Sequence, residues 1–180
     1  MKFRVGSVHS FAIRHLDPRD RNTLAALFAS EPNYAELVRD GTLAPSEADS
    51  IFTELPPGKT VSDKLLFGVV DRDGLIAVLD VIRSYQNADS WFLGLVFVAP
   101  AARGKGLGTE LLQALNDYAA EAGANALQLA VTVANPNARK LYMRLGFRVI
   151  REHERTEQYG RVTRLEFMEL SLKPGYSACT

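Results

Sequence analysis

The stretch Val96-Phe-Val-Ala-Pro100-Ala-Ala-Arg103-Gly-Lys105-Gly-Leu-Gly108-Thr109 constrains the fold of this chain more than any other. Upstream of it, residues 90–98 carry no charge and are apolar at odd and even positions alike, the pattern of a strand covered on both faces and therefore central in a sheet. Downstream, Leu107, Leu111, Leu115, Tyr118, Ala119 and Ala122 fall on one face of a helix over 106–122, which Gly123 ends. A buried strand that turns this quickly into an amphipathic helix needs a loop of unusual backbone freedom, and Gly104, Gly106 and Gly108 provide it. The same geometry exposes unpaired N–H groups at the positive end of the helix dipole. Arg103 and Lys105 add charge, so the loop reads as a cradle for phosphate or diphosphate. A tight turn whose glycines serve packing alone is the competing reading.

The remaining elements are weaker but consistent. Residues 7–16 alternate as a first strand, Asp17-Pro18 breaks it, and Asp20 is placed to cap a helix over 21–29. The proline-rich stretch 30–60 is the least regular part, with a short helix at 45–54 ended by Pro56-Pro57-Gly58. Residues 64–71 and 75–84 are β-branched and apolar and meet at Arg72-Asp73-Gly74, a hairpin signature. A buried strand follows at 126–133, a short helix at 137–145 closed by Gly146, and strands at 147–157 and 161–172 turning through Gln158-Tyr159-Gly160. Helices between strands imply parallel crossovers and hairpins imply antiparallel pairs, so the fold class is mixed α/β with helices on both faces of the sheet. No linker divides the chain, and one domain over 1–173 with a mobile tail at 174–180 is expected.

Composition removes several function classes. Twenty-one basic residues balance twenty-one acidic ones, against a protein that neutralises many nucleic-acid phosphates. The single cysteine, Cys179, permits neither an internal disulfide nor a cysteine metal cluster, and no metal is expected. The longest uncharged apolar run, 91–102, is far short of the ~20 residues that span a bilayer, and the N-terminus lacks a signal-peptide pattern. A soluble cytoplasmic protein follows as the expectation.

The glycine loop matches neither a Walker A motif, since Gly106 follows Lys105, nor the dinucleotide spacing Gly-x-Gly-x-x-Gly. Arg103, Gly106 and Gly108 do match Arg-x-x-Gly-x-Gly, and the chain resembles the GCN5-related N-acetyltransferase (GNAT) superfamily at this acyl-CoA loop. The resemblance continues at Asn135-Pro-Asn-Ala138-Arg-Lys-Leu141-Tyr142-Met-Arg-Leu145-Gly146-Phe147, similar to that family's Asn-x-x-Ala-x-x-Leu-Tyr-x-x-x-Gly-Phe segment. Two motifs in order, spaced by one helix and one strand, are far more specific than either.

The resemblance implies a mostly antiparallel sheet of six to seven strands whose central parallel pair splays apart. It implies that backbone N–H groups of Arg103, Gly104, Lys105, Gly106, Leu107, Gly108 and Thr109 hold the CoA diphosphate, while the pantetheine arm lies along Val96, Phe97 and Val98. Gly94 then marks a bulge in the central strand, or else fits under a bulky neighbour. Asn135 and Ala138 sit at cofactor-contacting positions of the second motif; a turn or capping role for Asn135 is the plain alternative. Tyr142 is implied as the acid for the departing thiolate, although Ala138, Leu141, Tyr142 and Leu145 also make one apolar face. Many relatives carry a glutamate on the central strand as base, and none occurs at 91–98 here. Asp80, amid Ala77, Val78, Leu79, Val81 and Ile82, is the best substitute, ahead of Asp89 and Glu54. His9 and His15 belong to the first strand region, and His153 to a charged, solvated strand face.

The implied activity is direct acetyl transfer from acetyl-CoA to a small amine or a peptide amine, with a homodimer left open. Tyr34, Glu36, Asp40, Glu47 and Glu54 suggest a cationic acceptor near 30–60. A non-catalytic CoA-binding or regulatory domain, and an ATP-binding protein using the same loop, stand as rivals. Cys179 is too near the chain end for a covalent acyl carrier.

Overall fold

The computed structural model describes residues 11–31, 47–156 and 162–172. Seven strands form one sheet in the order β1-β2-β3-β4-β5-β7-β6. They are β1 (Ala12–His15), β2 (Lys64–Asp71), β3 (Gly74–Ile82), β4 (Ser90–Val98), β5 (Ala126–Thr132), β6 (Arg148–Thr156) and β7 (Val162–Ser171). The helices are α1 (Arg21–Ala29), α2 (Glu47–Thr53), α3 (Leu107–Glu121) and α4 (Pro136–Arg144). Every pairing is antiparallel except β4 with β5, which are joined through α3 as a crossover requires. No helix among the described residues is long and apolar enough to cross a membrane.

Strand alternation divides the core in two. Ala77, Leu79 and Val81 of β3 join Trp91, Leu93, Leu127 and Leu129 under Leu107, Leu111 and Leu115 of α3, with Leu141 and Tyr142 of α4 packed alongside. Val78 points the other way and joins Leu66 and Phe97 beneath Leu24, Leu27 and Phe28 of α1 and Ile51 of α2. Thus α3 and α4 cover one face, and α1 and α2 cover the β2–β4 part of the other.

The sequence reading of β2 and β4 agrees residue for residue with the structure, and β4 is central. Residues 7–10, 45–46, 158–160 and 174–180 lie outside the described residues, as do His9 and Cys179. One capping expectation fails. Asp20 makes no side-chain bond to the start of α1; its carboxylate accepts from Arg14 Nη1 and Nη2 at 2.8 and 2.6 Å and from the Asp17 N–H at 3.0 Å. A cation within reach outcompetes a neutral N–H for a carboxylate.

Candidate active site

The site begins where β4 and β5 part. Their parallel pairing runs from Ser90↔Ala126 to Leu93↔Leu129 and stops, although β4 continues to Val98 and β5 to Thr132. The cause is visible on the other side of β4: Asp80 faces Leu95 while Val81 faces Leu93, so Gly94 is an extra residue in β4. Such a bulge bends and twists the strand that carries it. Beyond it, β4 and β5 leave a gap with unpaired backbone on both sides. Gly94 and Ala130, in the middle of a seven-stranded sheet, are consequently exposed.

The gap leads to the glycine loop. Gly104 has φ +76° and Gly106 φ +85°, left-handed conformations that side chains rarely adopt. A Cβ built on either would meet nothing within 4 Å, so neither glycine is there for packing. Gly108 is different: its Cβ position lies 3.6 Å from Leu141 Cδ2, which brings the start of α3 against α4. Gly106 is the N-cap of α3, and the Thr109 and Glu110 N–H groups donate to its carbonyl at 2.9 and 3.1 Å. The N–H groups of Leu107 and Gly108 precede those first bonds and stay available to an anion. An open cradle, a helix N-terminus and a strand gap in line with them fit the diphosphate and extended arm of a CoA thioester.

Arg103 lies elsewhere than charge alone suggests. Its Nε donates to the Val98 carbonyl at 2.8 Å, its Nη1 donates to Glu31 at 2.6 Å, and its guanidinium carbon stands 5.7 Å from the Phe97 ring centre. The side chain therefore ties the loop to the end of β4 and to Glu31, two residues past the end of α1. Lys105 Nζ donates to the Ala101 carbonyl at 3.1 Å. If Arg103 is a strut, Arg103→Gln and Glu31→Gln weaken CoA binding equally, about two- to fivefold, with an unchanged salt slope in a titration series. A loss confined to Arg103→Gln, with a shallower salt slope, makes it a phosphate ligand instead.

Asp80 stands beside the bulge. Its Oδ2 is 3.7 Å from where a Gly94 Cβ would be and accepts from Lys64 Nζ at 2.8 Å. Lys64 and Asp80 side chains are only 6% and 15% exposed. The other oxygen, Oδ1, is buried with no hydrogen-bond partner. Burial raises the Asp80 pKa, Lys64 opposes the rise, and the nearby Glu54 charge adds to it. Asp89, by contrast, accepts from Asn125 Nδ2 at 3.0 Å, and its carbonyl takes the N–H groups of Asn125 and Ala126. It organises the opposite end of β4. Glu54 follows α2 and lends its carbonyl to Lys64 at 3.2 Å.

On the other face, Asn135 caps α4 by accepting from the Ala138 N–H at 3.1 Å, which is the plain alternative to a cofactor contact. Ala138 and Tyr142 pack on the core, and the Tyr142 ring lies 5.7 Å from Phe147. Burial pushes the Tyr142 phenol up to about 12. His15 packs on Phe67 at 4.6 Å, and His153 is exposed on β6.

Comparison with known proteins decides the family. The profile of the Acetyltransferase (GNAT) family matches residues 32–147. The chain belongs to the GNAT family. It is 35% identical over 105 residues to the uncharacterized N-acetyltransferase YobR of Bacillus subtilis, 57% of this chain and 38% of that protein. It is 39% identical over 84 residues to the L-methionine sulfoximine/L-methionine sulfone acetyltransferase of Pseudomonas aeruginosa, 46% of this chain and 49% of that one. The chain thus spans less than half the length of these curated relatives. Among solved structures, a GCN5-related N-acetyltransferase from Kribbella flavida superposes with TM-score 0.67 at 27% identity, covering 90% of this chain and 98% of that one. A spermidine N-acetyltransferase from Vibrio cholerae, in complex with CoA and spermine, superposes with TM-score 0.71 at 21% identity over 90% and 95% of the two chains. The GNAT fold, with its mostly antiparallel sheet and helices on both faces, accounts for these likenesses.

Proposed function

We propose that this GNAT protein is an acetyl-CoA-dependent N-acetyltransferase that passes the acetyl group directly to a primary amine. The observation that carries the reading is the β4–β5 gap, which joins the Gly104–Gly106 cradle at one end to the buried Asp80 carboxylate at the other. When bound, the thioester supplies the activated acetyl group. The N–H groups of Leu107 and Gly108 hold the diphosphate, and backbone N–H groups of Val96 to Val98 orient the arm and polarise the carbonyl. Asp80 accepts the proton that the amine sheds as its N–C bond forms and the C–S bond breaks. Burial raises the Asp80 pKa above the ordinary carboxylate value, which makes it a stronger base than an exposed aspartate. Tyr142 donates a hydrogen bond to the departing sulfur.

The absence of an acidic residue on β4 favours the rival reading of a CoA-binding domain without chemistry. Asp80 supports the catalytic one, because from the adjoining strand its carboxylate comes within 3.7 Å of the Cβ position of Gly94 on β4. Calorimetry with acetyl-CoA, followed by thiol release with an amine panel, tests the proposal. Heat without turnover of any amine supports the non-catalytic rival; no heat with acetyl-CoA or CoA overturns both. Stabilisation by ATP with magnesium but not by CoA would favour the nucleotide reading.

The loop has its own test. Gly106→Val forces a β-branched residue into a left-handed conformation, which costs about 1–2 kcal/mol or more. That corresponds to a melting shift of about 2–8 °C. Its side chain also projects into the open space of the cradle, so CoA affinity should fall more than tenfold. Equal free-energy losses in melting and calorimetry would reduce the loop to a packing turn.

A further inference from the structure

Beyond the cover of α1 and α2, the sheet face that carries Asp80 presents a transverse row. Asp80 faces Leu95, Ala130 of β5 faces Phe167 of β7, and Phe167 faces Arg151 of β6. Leu129 and Val131 point to the α3 core, as does Met168, so Ala130 and Phe167 point the opposite way, into the row. Ala130 is exposed and Phe167 half-buried, making a shallow trough whose floor opens onto the β4–β5 gap.

The far wall of this trough is set by a bulge. Val149 faces Met168 but Arg151 faces Phe167, so Ile150 is an extra residue in β6. Without it, the alternation of Arg148-Val-Ile-Arg-Glu-His-Glu154 would place Arg148, Ile150, Glu152 and Glu154 on one face. With it, Arg148, Arg151 and His153 share the trough face, while Glu152 and Glu154 turn to the other. Arg148 stands opposite Glu169 in register, and the Glu169 carboxylate accepts from Gln128 Nε2 at 2.7 Å. Lys64 already holds Asp80. The Arg151 guanidinium lies 4.0 Å above the Phe167 ring centre, exposed, and among the described residues it pairs with no carboxylate. A guanidinium held over an aromatic ring by cation–π attraction still has N–H groups with which to bind an oxyanion bidentately.

Building on the acetyltransferase reading, we infer that the acceptor is an amine that also carries a carboxylate or a similar oxyanion, and that Arg151 on Phe167 receives that group. The gap lies about one and a half strand spacings from the Phe167 column, so amine and anion are separated by on the order of 7 Å. The cationic acceptor suggested by the acidic residues near 30–60 is the opposite class. Of the residues that suggested it, Tyr34, Glu36 and Asp40 lie outside the described ones.

The test compares 5-aminopentanoate, its neutral amide and the matching diamine as acceptors. The wild-type protein should favour the carboxylate over the amide at least tenfold in kcat/KM. Arg151→Gln should bring that ratio near one, mainly through KM, with the amide's own kcat unchanged. Arg151→Lys should recover part of the preference, since its point charge lacks the flat bidentate edge. A ratio near one in the wild type, a preference for the diamine, or a ratio indifferent to Arg151→Gln overturns the inference. Turnover of none of the three by a protein that binds acetyl-CoA also overturns it. A protein that gives no heat with acetyl-CoA defeats the transferase reading instead.

Discussion

Asp80→Asn lowers kcat/KM for amine acetylation by about 10²-fold or more while acetyl-CoA still binds. A positioned general base contributes roughly this much, and Asn keeps the shape but cannot take the proton. The pH profile adds a sign. In the wild type, activity rises with pH as Asp80 ionises, and burial places that limb above the ordinary carboxylate value of 3.8. The variant loses the limb. Stability moves separately. The folded pKa of Asp80 lies above its unfolded value, so this group's contribution is present at low pH and is lost as pH rises through the folded pKa. Removing the charge deletes that loss but strands Lys64, only 6% exposed, without its counter-ion. Breaking a buried pair from one side costs about 3–5 kcal/mol, and the lower end applies because Asn still accepts from Lys64. Lys64→Met combined with Asp80→Asn should therefore recover the melting temperature and none of the activity. Recovery of both, or full activity in the single variant, removes Asp80 from the chemistry.

What the sequence disclosed and what it hid follow one physical divide. β2 and β4 are legible because a strand buried on both faces must be apolar at every position, and no tertiary detail alters that. Gly104 and Gly106 are legible because positive φ values leave few other residues available. Gly94 was equally compatible with a bulge or a tight contact; the register shift beside Asp80 decides for the bulge. Charged side chains were the opposite case. Arg103 turns away from the open cradle toward Glu31, seventy-two positions distant, and Asp80 meets Lys64 across a hairpin sixteen positions away. A flexible side chain takes the strongest partner within reach, and sequence spacing does not say which partner that is. The β6 bulge was hidden for a related reason. Its segment alternates in charge, and one extra residue reverses which sign faces the trough.

Tyr142→Phe separates chemistry from packing most cleanly, with kcat reduced about 10- to 100-fold and the melting temperature unchanged or slightly raised. Among the described residues the phenol makes no hydrogen bond, so deleting its hydroxyl leaves no partner unsatisfied, and the ring keeps its contact with Phe147. The catalytic loss has a definite form. A phenol pushed up to about 12 stays protonated throughout the working range. A thiol ionises near ~8.5, so outright proton transfer from this phenol to a departing thiolate runs uphill. On the proposed transferase reading, Tyr142 serves as a standing donor whose bond strengthens as negative charge gathers on sulfur, worth about 1.5–3 kcal/mol for a charged acceptor. Such a bond exists fully only as the C–S bond breaks, so the loss falls on kcat and leaves the KM for acetyl-CoA nearly unchanged. It also introduces no basic limb into the pH profile near neutrality. Wild-type kcat in Tyr142→Phe would reduce the ring to core packing. A rise in KM at constant kcat would make the hydroxyl a ground-state contact to the arm.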